Sequence, residues 1–258
     1  MMTIAFPRTP LKEMDAASLV FELSRQVEAR VFDRKGIVMA AAMMAAHLHR
    51  NQTRGIRRDL PRVPYIEHPM RNTLRALRYG KTDPELLAAC LMHDTLEDCV
   101  DEIVDQFVDT DELPGHIALE TISGRRAAAH LWMIDAFGAT VADVVLDVSN
   151  KVACTRRDYW MKMAALAARA TGAVPDPIAT MAVIVKALDL LDNAGALRHQ
   201  LAAGDTPSVV LRRAQKYLPA VKELSPALRF IGEPEIADDL DKLLVHLEEI
   251  IASQRVSG

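Results

Sequence analysis

Aromatic side chains make up only 5% of this chain, and glycine is sparse at 11 of 258 residues. With alanine, leucine and methionine abundant, that composition points to an all-α protein. Cysteine occurs three times, at Cys90, Cys99 and Cys154, with no Cys-x-x-Cys pair. An odd count without that spacing excludes a disulfide scaffold and a thiolate zinc site, and makes a reducing cytoplasm the expected compartment. No excess of positive charge is present: 31 basic against 35 acidic residues give a net charge of −4. Nucleic acid is therefore not an expected partner. The most apolar window, residues 37–48, falls short of the roughly 20 residues a bilayer span needs, so no membrane association is expected. The first fifteen residues show no basic stretch followed by an apolar run, so they do not read as a signal peptide. A Gly-rich phosphate loop, internal repeats and strand alternation are also missing.

What is present is half hydrophobic, ample for a buried core. Residues 1–10 read as a loose tail, and 11–31 as a helix broken at Asp33–Gly36. A second helix, over 37–51, precedes a basic, proline-containing loop and a helix from Glu67 to Tyr79. Thr82 or Asp83 as N-cap, with Pro84 in the first turn, forms a helix opening. Further helices are expected before Gly138, after it, over Thr155–Ala170 and from Ile178 onward after a loop at 171–177, with two or three more after Pro207.

The chemistry concentrates in HDTLEDC, residues 93–99. On a continuous helix, His93 and Glu97 share one face and Asp94 and Asp98 another, one turn apart. Polar groups at the end of the apolar run LLAACLM need partners or a metal. His49 in HRNQTR and Asp189 in VKALDLLDN complete a mixed set of His49, His93, Asp94 and Asp189. Such nitrogen and oxygen donors suit Mn, Fe or Zn. Glu97 and Asp98 are then candidates to orient or deprotonate a water.

The pattern H…HD…D resembles the HD-domain phosphohydrolases. Residues 49–69, HRNQTR followed by PYIEHP, are similar to the H-x-x-Q-x-R…P-Y-I-x-H-P signature of the guanosine tetraphosphate hydrolase domain of the Rel/SpoT family and of the small stand-alone alarmone hydrolases. LLAACLMHDTLEDC, FGATVADVVLDVSNK and IVKALDLLDNAGAL resemble three further segments of that family, in the same order. The resemblance covers residues 37–200 and implies an all-α HD-domain helical bundle with extra C-terminal helices. It places the HD-type domain at 11–205, with an insertion at about 109–136, and a helical extension at 206–258 packed on the same domain or on a second copy in a homo-oligomer.

Carried over by position, the resemblance implies one Mn2+ per chain, with other divalent metals as alternatives, held by His49, His93, Asp94 and Asp189. Glu97 and Asp98 would activate the water that releases pyrophosphate from the 3′ position of guanosine tetra- or pentaphosphate. Arg50, Arg54 and Lys151 would meet phosphates. Asn193 would contact the nucleotide, and Tyr159 its base or ribose. Leu190, Asp192 and Gly195 stand where the family has a basic residue, His and Arg, which withdraws positive charge from the phosphate pocket. An adenosine alarmone or the 2′-phosphate of NADPH is thus an alternative substrate, and a non-catalytic nucleotide-binding module an alternative function.

Other polar residues read as structural. His47 lies on another face from His49, His68 shapes the turn before Pro69, and Asp192 reads first as a surface helix residue, with support of a metal ligand or contact with substrate as its alternatives. His116, His130, His199 and His246 have no motif around them, and the basic run Arg54, Arg57, Arg58 and Arg62 reads either as a solvated loop or as a replacement for the phosphate-binding charges lost elsewhere.

Overall fold

The computed structural model describes residues 9–54, 62–151, 153–197, 200 and 206–256. The described chain is an all-α helical bundle. After a 3-10 turn at Leu11–Glu13, α1 (Ala16–Arg30) starts at Asp15, whose side chain accepts the Ser18 amide. One expected helix is therefore two pieces. Residues 1–8 of the expected tail lie outside the described residues. Helix α2 (Lys35–Leu48) buries Val38, Ala41, Ala42, Ala45 and Leu48. Its alanines let it lie close against α4 (Pro84–Met92), which is buried from Leu86 to Met92. Asp83 caps α4 by accepting the Glu85 and Leu86 amides. Between α2 and α3 (Glu67–Arg78) one short antiparallel pair forms, with Thr53 opposite Pro64 and Arg54 opposite Val63. Two residues per strand leave no alternation for a sequence pattern to show.

The chain turns sharply after α4. Helices α5 (Thr95–Asp98) and α6 (Val100–Phe107) are short. Helix α7 (Ile122–Phe137) lies within the expected insertion and packs on α6 and α8 (Ala139–Val148). Gly138, at φ +89°, allows the abrupt turn from α7 to α8. Helix α9 (Arg156–Ala170) opens with a capping box between Thr155 and Asp158. Helix α10 (Pro177–Asn193) is buried along most of its length and touches α3, α4, α8 and α9. Helices α11 (Pro207–Phe230) and α12 (Pro234–Val256) pair with each other, and α11 also packs on α9 and α10. The apolar stripe of the C-terminal segment thus covers the same core. Among the described residues no helix is long and apolar enough to cross a membrane.

Candidate metal centre and adjoining cavity

Helix α4 ends at Met92, and His93 and Asp94 form a turn before α5. The expected single helix through His93–Asp98 is therefore broken, and the pairing of His93 with Glu97 on one helix face does not occur. The break turns His93 into the core at 1% exposure while Glu97 and Asp98 stay at the surface.

Three helices bring their polar residues to one buried point. His93 Nε2 lies 3.1 Å from Asp94 Oδ2 and 3.6 Å from Asp189 Oδ1. His68, from the first turn of α3, places Nε2 3.1 Å from Asp189 Oδ1 and 3.6 Å from Asp94 Oδ2. His68, His93 and Asp189 form a buried group that could hold a metal ion. The reading of His68 as a turn-shaping residue is corrected here: it is fully buried and faces the carboxylates. Asp192 is likewise no surface residue. It is fully buried, accepting Arg71 Nε at 3.0 Å, Arg71 Nη2 at 3.1 Å and His68 Nδ1 at 2.8 Å.

The hydrogen bonds fix the imidazole tautomers. His49 Nδ1 meets Gln52 Oε1 at 2.8 Å, His93 Nδ1 meets the Cys90 carbonyl at 2.9 Å, and His68 Nδ1 meets Asp192. Each of those partners only accepts, so each Nδ1 donates and each neutral ring carries its lone pair on Nε2. His49 Nε2 and His93 Nε2 are buried without a hydrogen-bond partner. The imidazoles of His68 and His93 and the carboxylates of Asp94 and Asp189, facing one another in the core, are stabilised by a cation or by a proton between them. Ligand bonds of about 2.1 Å give donor separations of about 3.0 to 3.4 Å, close to those seen here.

Electrostatics tells the same story. Burial alone would lower His93, but Asp94 and Asp189 raise it to about 10, so the metal-free site holds a proton instead. Burial would raise Asp189, yet the Lys186 ammonium, 2.8 Å from Oδ2, and the two imidazoles hold it well below the carboxylate range. Burial dominates His49 and lowers it, favouring its neutral form; it is not one of the three residues of the buried group.

The remaining expected residues distribute as follows. Asn193 Nδ2 donates to Asp189 Oδ1 at 2.5 Å, and Arg54 donates to Asn193 Oδ1 while standing 5.1 Å from the Tyr65 ring centroid. Arg50 points away, its guanidinium on the His47 carbonyl at 2.8 Å. Glu97 turns toward Asn150, whose backbone amide donates to Oε2 at 2.8 Å. Although Asp98 is exposed as a residue, loss of water around its carboxyl, then the charges of Asp94 and Glu97, push it up to about 6. Glu97 and Asp98 line a cavity of about 940 Å³, with Lys151 and Tyr159 and with Arg213 and Lys216 from α11. His130 pairs with Asp143 at 3.0 Å, and Arg62 donates to Thr53. His199, Arg57 and Arg58 lie outside the described residues.

Sequence reasoning missed Tyr65, whose hydroxyl donates to Asp94 Oδ2 at 2.5 Å, and Lys186. It also missed the network of Glu67, Arg71 and Arg75 around Asp192. Two signals were available. Lys186, Asp189 and Asp192 follow at intervals of three on an apolar helix, and Glu67, Arg71 and Arg75 follow at intervals of four.

Comparison with known proteins adds a local similarity. The chain is 41% identical over 64 residues to the guanosine-3′,5′-bis(diphosphate) 3′-pyrophosphohydrolase MESH1 of Xenopus tropicalis, covering 24% of this chain and 34% of that protein. It is 44% identical over 63 residues to MESH1 of Mus musculus, covering 24% and 33%. The match thus spans about a third of these curated relatives. No protein-family model matches the chain.

Proposed function

We propose that this chain is a metal-dependent phosphohydrolase that removes pyrophosphate from the 3′ position of guanosine 3′,5′-bis(diphosphate), holding one Mn2+. The observation that carries the reading is the buried meeting of His68, His93, Asp94 and Asp189, with the Nε2 of His49 also left free by its hydrogen bond. Three and four residues after Asp94, Glu97 and Asp98 line a cavity that also carries cationic side chains, although the cluster itself does not line it. The local identity to two named pyrophosphohydrolases supports the choice of reaction.

His49, His93, Asp94 and Asp189 would hold the ion, and His68, tied to Asp192, lies close enough to orient Asp189 or to join them. When bound, the ion supplies Lewis acidity and an acidified water. The chain's own residues do the rest. Glu97 and Asp98 take the proton of the attacking water, and an Asp98 carboxyl at about 6 suits that exchange near neutral pH. Lys151, Arg213 and Lys216 stand where phosphate oxygens would enter.

The test uses protein stripped of metal and reloaded with Mn2+, incubated with guanosine tetraphosphate and resolved by anion-exchange chromatography. GDP and pyrophosphate are the expected products, with Glu97→Gln keeping the metal and losing rate. Unchanged substrate in a protein shown to hold one ion overturns the choice of nucleotide.

A second substrate reading has its own observation. Arg71 and Arg75 of α3 are paired with Asp192, and on α10 both Leu190 and Asp192 are buried, so this part of α3 and α10 offers little positive charge to a nucleotide. An adenosine alarmone and NADPH belong in the same assay for that reason.

A further inference from the structure

Glu97, a candidate catalytic carboxylate, sits on a four-residue helix at the surface. Something else must hold it. Asn150, just beyond the end of α8, donates its backbone amide to Oε2 at 2.8 Å and its side-chain amide to Oε2 at 3.0 Å and Oε1 at 3.2 Å. Asn150 lies in a turn with no helical bonds of its own, and that turn is braced from α7. Arg126 Nη1 donates to the Asn150 carbonyl at 2.6 Å and Nη2 to the Ser149 carbonyl at 3.1 Å. Lys162 of α9 donates to the same Ser149 carbonyl. The neighbouring Arg125 reaches the other way, with Nε on Asp101 Oδ1 at 2.6 Å and Nη2 on Asp105 Oδ1 at 2.5 Å, both on α6. Those aspartates are exposed and their pairs contribute little. The weight therefore rests on Arg126, whose two bonds go to backbone carbonyls in a half-buried setting.

The placement of α7 is itself constrained. A Cβ on Gly124 would fall 1.9 Å from the Ala118 carbonyl oxygen, so the first turn of α7 sits tightly on the loop before it. Only glycine permits that approach, two residues before Arg126.

We infer that the segment recognised as an insertion supplies a positioning residue, Arg126, which fixes the Ser149–Asn150 turn and through it the Glu97 carboxylate. The inference rests on the reading of Glu97 as a group that serves the reaction. Arg126 also lines the cavity, but both of its terminal guanidinium nitrogens are engaged by the Asn150 and Ser149 carbonyls, so its part in this scheme is to set how well Glu97 is aimed.

The experiment compares Arg126→Met, Arg126→Lys and Glu97→Gln in the full chain loaded with Mn2+, with thermal unfolding as the check on folding. Arg126→Met lowers kcat on guanosine tetraphosphate by about tenfold to a hundredfold, less than the roughly 100- to 10,000-fold worth of a general base, and leaves KM within about twofold. Arg126→Lys, which keeps one donor, recovers most of that loss. In the Glu97→Gln background Arg126→Met costs nothing more, because both act through one carboxylate. A raised KM with intact kcat, or additive losses, would make Arg126 a substrate contact and overturn the inference. A second readout needs no turnover. In amide NMR spectra the backbone and side-chain signals of Asn150 move when Glu97 becomes Gln, and the same signals move in Arg126→Met. Unmoved Asn150 signals overturn the brace even in an active enzyme. If the wild-type protein hydrolyses no alarmone, the functional reading falls, while these amide signals still decide the brace.

Discussion

His68 Nε2 and Asp189 Oδ1 stand 3.1 Å apart inside the core, although the other ring nitrogen of His68 is already committed to Asp192. An imidazole between two carboxylates is either doubly protonated or shares a cation with one of them. Burial, then Arg54, lowers His68, which favours the second arrangement. Four expectations follow from this cluster and its surroundings.

Loss of either central ligand should remove the ion. His93→Ala and Asp189→Ala are expected to hold less than a tenth of the wild-type metal content after dialysis, read by elemental analysis. His68→Ala is expected to weaken binding by about 10- to 100-fold, the usual effect of losing a group that orients a ligand. Stoichiometric metal in dialysed Asp189→Ala protein would remove Asp189 from the ligand set.

Metal binding should release protons. His93, raised to about 10 by Asp94 and Asp189 against the effect of burial, is protonated at pH 7 in the metal-free protein. The ion must displace that proton. Titration calorimetry in two buffers of different ionisation enthalpy should show about one proton released per ion at pH 7. The value should fall toward zero as the pH passes 10. Equal heats in both buffers would contradict the protonated resting state.

Asp192 is a structural anion in the core. It meets Arg71, Arg75 and His68, and both Asp192 and Arg71 are fully buried. Removing one partner of a buried pair leaves an uncompensated charge, so Asp192→Asn is expected to cost about 3–5 kcal/mol in urea unfolding. It should also weaken metal binding, because asparagine offers a single accepting oxygen where Arg71 and His68 use two, so His68 Nδ1 is held less firmly. Stability within about 1 kcal/mol of wild type would show that Arg71 finds other partners.

Lys162 makes stability depend on pH in a defined window. Burial, then the nearby Lys186, lower it to about 7 from an ordinary value of 10.5. Between those limits the unfolded chain binds the proton and the folded chain does not, so stability rises with pH across pH 7 to 10. The contribution is fully present above 10.5 and is lost as pH falls through 7. Lys162→Met should flatten that rise in denaturation midpoints measured across the window. An unchanged slope would mean that Lys162 stays charged in the fold.

Much of this protein is decided within single elements. Helix positions followed from spacing, caps and breakers, because Asp83, Thr155 and Gly138 act on neighbouring backbone alone. His93, Asp94 and Asp189 stood out because polar groups at the ends of apolar runs need partners. The tertiary structure decided the rest. The break at His93–Asp94 separated the imidazole from Glu97, and no local pattern marks it. Helix α3 turned His68 inward only because α10 presented Asp189 and Asp192 opposite it. Arg126 found the Ser149 and Asn150 carbonyls only through the packing of α7 on α8. Periodicity shows which face of a helix is buried, and the partner on that face exists only once two distant segments of chain have met.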